Sequence, residues 1–583
     1  MVFAGWALAF AVIFGLGAWL RAAFGLKGTG GFVQFWLGYV ALIALLYGWY
    51  LVAPINAVAS VSIGAVGLAG CGFYIARLGR FTIHPLRLVC FVIIIGIAAT
   101  WVANRALDSQ LDFDSVFYHL SSIRWRNEFA VVPGLGNLHY RLAFNQSFFL
   151  YCAWLNVYPF FGHGYSLANS LLLIVLVMQS TYAALRLVFG PGTKRLNIAD
   201  LLAAAFIPLA LYRAEKQPYS ANISGPSPDL GIFILQAAAA FAFARVLWGS
   251  AESDKPDPYA MRERRLWIFL AVTLGAVSVT QKLSGAAFAV ALVAVVFAIE
   301  TIRERQALRA AIVRTLLPAF AGAALIGGLW VAVGLIESGY PAFPSRIGAV
   351  AVDYRIPAAT AKEAEDWVYS WARYPVSSSS AEQVLGNWDW LPTWTSLLAL
   401  DPMNQFQFVV PFYAALFGLV AVVILLIIRR KLDIRWVLLI IPAVLSCLYW
   451  WLSAPDPRFA GASFWLLAIA LILAALDLLF GTIKRRWKQT LVRVLPFASI
   501  IISALLLANG YATSFDPARV AFPTVANEPV QLYTTASGFQ YNIAADPDRN
   551  LQMGDPPLPV SPYLIPKLEL RGTGIADGFR TRE

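Results

Sequence analysis

Charge is what this sequence has least of. Only 13% of its 583 residues are Asp, Glu, Lys or Arg, where a soluble protein carries about 25%. Hydrophobic residues make up 59%, and the mean hydropathy is +0.67. A water-soluble domain is therefore excluded. The four cysteines (Cys71, Cys90, Cys152, Cys447) are scattered without metal-ligand spacing and read as apolar filler. There is no Walker loop, no GxGxxG after a strand and no HExxH, so an NTPase, a nicotinamide enzyme and a zinc protease find no support. The first apolar run, 2–20, lacks a basic n-region and an A-x-A site, and reads as a retained helix rather than a cleaved signal peptide. No tandem repeat is present. The net charge of +12 does not imply nucleic acid, because most Lys and Arg lie in short connections between apolar runs.

What is there is a succession of apolar runs of membrane-spanning length. They predict an all-α polytopic membrane protein with about fourteen transmembrane helices, near 2–20, 32–53, 56–76, 87–104, 167–187, 199–213, 229–247, 267–281, 284–300, 312–336, 408–428, 435–453, 461–481 and 490–508. Sorting the connections alternately puts 26 of the 44 Lys and Arg on one side, including Lys194 and Arg195. Most of the remainder lie in long loops or the tail, which weigh little in the positive-inside rule. The basic side is then cytoplasmic. Both termini, the loops 105–166 and 337–407 and the tail 509–583 face outward, as expected of a bacterial inner-membrane protein with a periplasmic working face. The apolar stretch 148–162 is short for a span, and counting it would invert every later loop. It is expected on the outer surface as an amphipathic or partly re-entrant element. A second outward helix is expected over 358–371, and Trp388, Trp390 and Trp394 are expected to anchor at the interface. Three regions follow: extra N-terminal helices (1–86), a transmembrane module with its outward loops (87–508), and a loosely structured Pro-rich tail packed on the loops (509–583).

The stretch 111–145 is densely polar for a segment beside a membrane, where such residues are costly unless a water-filled site needs them. It holds Asp112, Asp114, His119, His139 and Arg141. The alternating topology puts further ionisable groups on the same face, in short turns flanked by Pro and Gly. These are Asp229 before the seventh helix, Lys282 between the eighth and ninth, Tyr340 and Arg346 after the tenth, and Asp456 and Arg458 between the twelfth and thirteenth. Singly, each reads as a solvated loop residue; jointly they point to a site.

The chemistry that suits the set is sugar transfer from a lipid-phosphate donor. The leaving phosphate needs cations more than an acid, and Arg458 and Lys282 are the candidates. The acceptor hydroxyl needs a base, for which Asp112 or Asp114 serves. Asp-x-Asp can also hold a divalent metal ion. His119, His139, Arg141, Asp229, Tyr340, Arg346 and Asp456 are candidate substrate-binding residues.

This arrangement resembles the GT-C superfamily of polyprenyl-phosphate-sugar-dependent glycosyltransferases. The motifs DSVFYHL (114–120), GLGNLHYRLAFN (134–145), SGPSPDL (224–230), KLS (282–284), SGYPAFPS (338–345), SAPDPRFA (453–460) and LRGTGIADGFR (570–580) are similar to a bacterial family of large multi-pass proteins without assigned activity. The likeness covers 105–583. It implies a GT-C-type fold and an outward active site with Asp112 or Asp114 as base, adjacency to Tyr118 and His119 favouring Asp114. The implied partners are a polyprenyl-phosphate-linked sugar donor, membrane lipids, and a glycan, glycolipid or protein acceptor. Two rival expectations are a lipid-linked glycan flippase and a non-catalytic subunit of a membrane assembly.

Overall fold

A computed structural model describes residues 1–26, 31–77, 84–109, 111–190, 197–215, 221–249, 258–375, 380–429, 431–480, 485–525, 529–545 and 554–582. Of the basic residues that set the expected orientation, Lys27, Arg80, Lys194, Arg195, Lys216, Lys255, Arg430 and Lys484 lie outside them.

The protein is a helical bundle, an all-α polytopic membrane protein. Among the described residues, twelve helices are long and apolar enough to cross a membrane: Val2–Ala23, Phe32–Tyr50, Ala57–Ile75, Pro85–Ala106, Tyr165–Phe189, Pro228–Trp248, Leu283–Arg303, Leu308–Ser338, Pro402–Ile428, Ile434–Ser453, Ser463–Phe480 and Val492–Thr513. The expected spans 199–213 and 267–281 also form helices, Ile198–Glu215 and Pro258–Gln281, but neither is in that set. The first carries Asp200, Arg213 and Glu215 within 18 residues. The second begins well before its apolar part, because Arg262–Arg265 are good helix formers and the helix simply continues through them. Local signals start and stop the elements. Asn56 accepts a hydrogen bond from Val58 N and Asp433 from Arg435 N as N-caps, and Ser227 with Pro228 opens the helix that carries Asp229. Gly339, at φ 78°, ends the helix Leu308–Ser338 in the left-handed conformation.

One apolar core runs from Val2 to Leu507. Residues 1–86 share it. Trp6 Nε1 donates to Ser170 Oγ (3.0 Å), Trp36 Nε1 to Gln179 Oε1 (2.6 Å) and Tyr47 Oη to Asn145 O (3.1 Å). The first two helices cross at backbone contact, since a β-carbon on Gly38 would lie 1.6 Å from the Ile13 carbonyl oxygen. Small residues permit such crossings where lipid offers no hydrophobic drive between helices. Gly38→Leu is accordingly expected to lower the melting temperature in detergent, by about 1–3 kcal/mol of stability or more. An unchanged melting curve would refute the close crossing.

Two expectations are corrected. The stretch 148–162 lies on the surface only in its second half, where Tyr158 and Phe161 are exposed; the helix Ser147–Leu155 has nine residues, all buried inside the bundle. Its sequence is apolar all round, so it has no polar face to turn to water. The tail is not loose. Strands β1 (Val530–Thr534) and β2 (Gln540–Ala544) form one antiparallel hairpin, and β3 (Leu568–Leu570) and β4 (Phe579–Thr581) form another. Tyr541, Ile543, Leu568 and Phe579 build a second core with Trp125, Val132, Leu135, Leu138 and Leu142. Phe579 N donates to Pro133 O (2.9 Å) and Ser561 Oγ to Leu138 O (2.7 Å), which fastens the tail over 111–145.

Candidate active site

Asp112 begins the polar stretch as a helix cap. Its Oδ1 accepts from Ser115 N at 2.7 Å, at the entrance to a π-helical turn, Ser115–His119, that continues into the helix Leu120–Glu128. The widened turn buries Ser115 and His119 on one side, with Ser115 Oγ 3.3 Å from His119 Nδ1, and leaves Asp112 a quarter exposed. Such turns recur at functional sites. Asp112 Oδ1 is 4.0 Å from His119 Nδ1. Among the described residues no cation forms a close ion pair with Asp112. Burial lifts its carboxyl to about 6, with Asp114 and Asp229 adding repulsion against the Ser115 hydrogen bonds. Burial likewise pushes His119 down to about 4 despite the pull of Asp114 and Asp229, so its imidazole is neutral near pH 7.

Asp114 is held differently. Arg141 Nη1 meets its Oδ1 at 2.9 Å. Arg141 is buried in an aromatic box, 4.2 Å from the Trp367 ring centroid, 4.7 Å from Phe117 and 5.6 Å from Tyr118. His139 stands behind this box, packed against Phe117 and Tyr563, and burial together with the Arg141 charge keeps it neutral.

The second half of the site comes from four other segments. Lys282 forms an ion pair with Asp229, and its ammonium lies 4.3 Å over Phe459. Arg213 Nη2 donates to the Asp229 carbonyl at 2.9 Å. Asp456 caps the turn Pro457–Ala460 and accepts from Arg458, whose Nη2 is 2.9 Å from Oδ2. Arg213, Lys282 and Arg458 all bear on the Asp229 carboxylate, and Asp229 and Lys282 both act on His119, so the two halves share one electrostatic neighbourhood. Lys282 and Arg458 keep 16% and 30% of their side chains exposed. The helix Ala358–Arg373 bridges the halves, with Trp367 over Arg141 and Arg373 Nη1 donating to Ser453 O at 2.7 Å.

The structure thus gathers Asp112, Asp114, His119, Arg141, Asp229, Lys282, Asp456 and Arg458. It does not bring Tyr340 or Arg346 to them. The Tyr340 hydroxyl donates to Ile356 O at 3.2 Å inside a small apolar cluster, and Arg346 pairs with Glu365 at 2.8 Å in the open. Trp390 and Trp394 are buried rather than anchoring at an interface; Trp394 Nε1 donates to Pro455 O at 2.9 Å, and only Trp388 of the three is exposed. Sequence reasoning missed Arg213 and Trp367. Arg213 had a signal, being one of only four cations in short connections on the cation-poor side; the others are Lys216, outside the described residues, Lys282 and Arg458. Among the described residues no group of three or more His, Cys, Asp or Glu is placed to hold a metal ion. Asp112 and Asp114 offer two carboxylates, of which Asp114 already pairs with Arg141; an ion held by so few takes its other ligands from substrate phosphate and water.

Residues 1–466 match a family described as a domain of unknown function (DUF8201). No curated protein and no solved structure matches the chain.

Proposed function

The chain belongs to the DUF8201 family, and we propose from the geometry of the site that it is a GT-C-like glycosyltransferase with about fourteen spans. It sits in a bacterial inner membrane and transfers a sugar from a polyprenyl-phosphate donor to an envelope glycan, glycolipid or protein on the periplasmic side. The observation that carries this is the contrast between the carboxylates. Asp112 is a partly exposed carboxyl lifted to about 6 without a close cationic partner, beside a node of three cations.

Asp112 takes the proton of the acceptor hydroxyl as its oxygen bonds to the anomeric carbon, and the bond from that carbon to the phosphate oxygen breaks. Lys282 and Arg458 receive the charge developing on the leaving phosphate, with Arg213 behind them. Asp114, fixed by Arg141, faces the positive charge of the oxocarbenium-like transition state. Neutral His119 supports the turn that aims Asp112.

The test is an envelope-glycan profile by mass spectrometry. Cells lacking the protein are expected to miss one glycan, which returns with wild type and not with Asp112→Asn or Arg458→Ala at equal membrane abundance. Full restoration by both variants sinks the reading. In membranes, transfer is expected to fall as pH drops through about 6, because the base is then protonated. A flat profile between about pH 5 and 8 would remove Asp112 from that role.

A second reading has one observation in its favour. Arg141, Lys282 and Arg458 each already hold a carboxylate, as structural ion pairs do. A non-catalytic membrane subunit would tolerate Asp112→Asn, which lies outside those pairs.

A further inference from the structure

The two tail hairpins are joined, Ala536 N donating to Pro566 O at 3.0 Å and Ser537 Oγ to Leu568 O at 3.1 Å, over the core that Tyr541, Ile543, Leu568 and Phe579 share. Between the hairpins lies a groove of about 910 Å³. Its cations are Lys567, Arg580 and Arg582, and its one carboxylate is Glu569. Glu569 is buried and already neutralised twice, by Arg580 Nε at 2.6 Å and Arg582 Nε at 2.8 Å. Among the described residues no acid pairs with Lys567, and Arg582 remains 75% exposed. Asp353 also stands 3.7 Å from Arg580, so the three cations face two acids and the described lining is net positive by one. Half-buried Phe539, braced 5.8 Å from Phe579, offers a ring, and Gln540 offers a carboxamide.

We propose that this groove binds an anionic glycan, one carrying carboxylate or phosphate groups along its chain. Three observations select that class. The surplus positive charge demands an acidic ligand. The ring and amide suit the apolar face and hydroxyls of a sugar. The concavity admits a chain, whereas a bilayer surface cannot enter it. The hairpins also hang from the site itself: β4 bonds to Pro133, and Tyr563, four residues before Lys567, packs on His139 and stacks 5.6 Å from Tyr140. A glycan held there is the acceptor. Only that last assignment rests on the transferase reading.

The experiment uses the full chain in nanodiscs with two probes of equal length, an oligogalacturonate and a neutral glucan oligosaccharide. Wild type is expected to bind the acidic probe about tenfold tighter, with the advantage shrinking as salt rises. Lys567→Glu with Arg582→Gln, which leaves Arg580 paired with Glu569, is expected to abolish the difference. Lys362→Glu, on the outward helix Ala358–Arg373, is expected to leave it intact. Equal binding of both probes, or an unaffected double variant, overturns the inference. So does loss of acidic-probe binding when the nanodisc lipid is changed from neutral to anionic, which would make the cations a lipid contact. Glycan binding in a protein that transfers nothing sinks the transferase reading and leaves the groove. Transfer with no probe discrimination does the reverse.

Discussion

Asp112→Asn is expected to abolish transfer and yet leave the protein at least as stable as wild type near neutral pH. The two effects share one cause. A carboxyl lifted from its ordinary 3.8 to about 6 binds its proton more tightly in the folded chain than in the unfolded one. Folding stability is then highest below the lower value and declines as pH rises toward the upper one, where the ion must be kept part-buried. A shift of this size corresponds to about 3 kcal/mol, and the quarter of the side chain still exposed to water reduces that to about 1–2 kcal/mol. Asparagine removes the charge and keeps an oxygen to accept from Ser115 N, so the cap survives. Without the base the rate should fall by about 10²–10⁴-fold. Thermal melts in detergent should show the variant equal or superior near pH 8 and the gap closed near pH 4. Asp114→Asn should differ in sign: it strips buried Arg141 of its partner and should cost about 1–2 kcal/mol. If Asp112→Asn is markedly destabilised near pH 8, the carboxylate is a structural anchor and the assignment fails.

That contrast between two aspartates two residues apart is what the sequence could not display. Hydropathy marks where chain crosses the bilayer, because runs of apolar residues must match its thickness, and twelve helices follow from it directly. Alternation then sorts loops by face, and Asp229, Lys282 and Arg458 were legible on that basis. Face is not lateral position, however. Tyr340 and Arg346 share the expected face and pack elsewhere, since neighbours across the bundle are set by helix packing that no periodicity encodes. The same limit hid Trp367, which reaches Arg141 from a helix more than 200 residues away. The tail misled for another reason. Its prolines suggested loose structure packed on the loops; it does pack there, but as short strands whose apolar residues find their partners at Trp125 and Leu138, more than 400 residues earlier.

The largest loss of stability is expected from Arg126→Ala, at about 3–5 kcal/mol. Arg126 lies on the helix Leu120–Glu128, at the far end from Asp112, and is fully buried. Its Nη2 is 3.3 Å from Glu337 Oε1, and Glu337 is fully buried at the end of the helix Leu308–Ser338. The Tyr50 hydroxyl donates to the same oxygen at 3.1 Å. Removing the guanidinium strands a carboxylate where water cannot reach it, while two other bonds pin the same region: Ile55 N to Arg126 O at 2.8 Å and Val131 N to Tyr50 O at 3.0 Å. Because attraction within a buried pair largely offsets the cost of drying both charges, removing the pair should hurt far less than removing half of it. Arg126→Met with Glu337→Leu should recover most of the melting temperature lost in Arg126→Ala. Equal losses in the single and double variants would mean that packing, not charge, holds this junction. Either way the junction joins the helix Phe32–Tyr50, the end of the helix Leu308–Ser338 and the helix Leu120–Glu128, which continues the turn that Asp112 caps. Its loosening should lower transfer even in the fraction that folds, since the other end of that last helix is held here together with the bonds from Asn127 to Ile55 O and Ala153 O and the packing of Trp125.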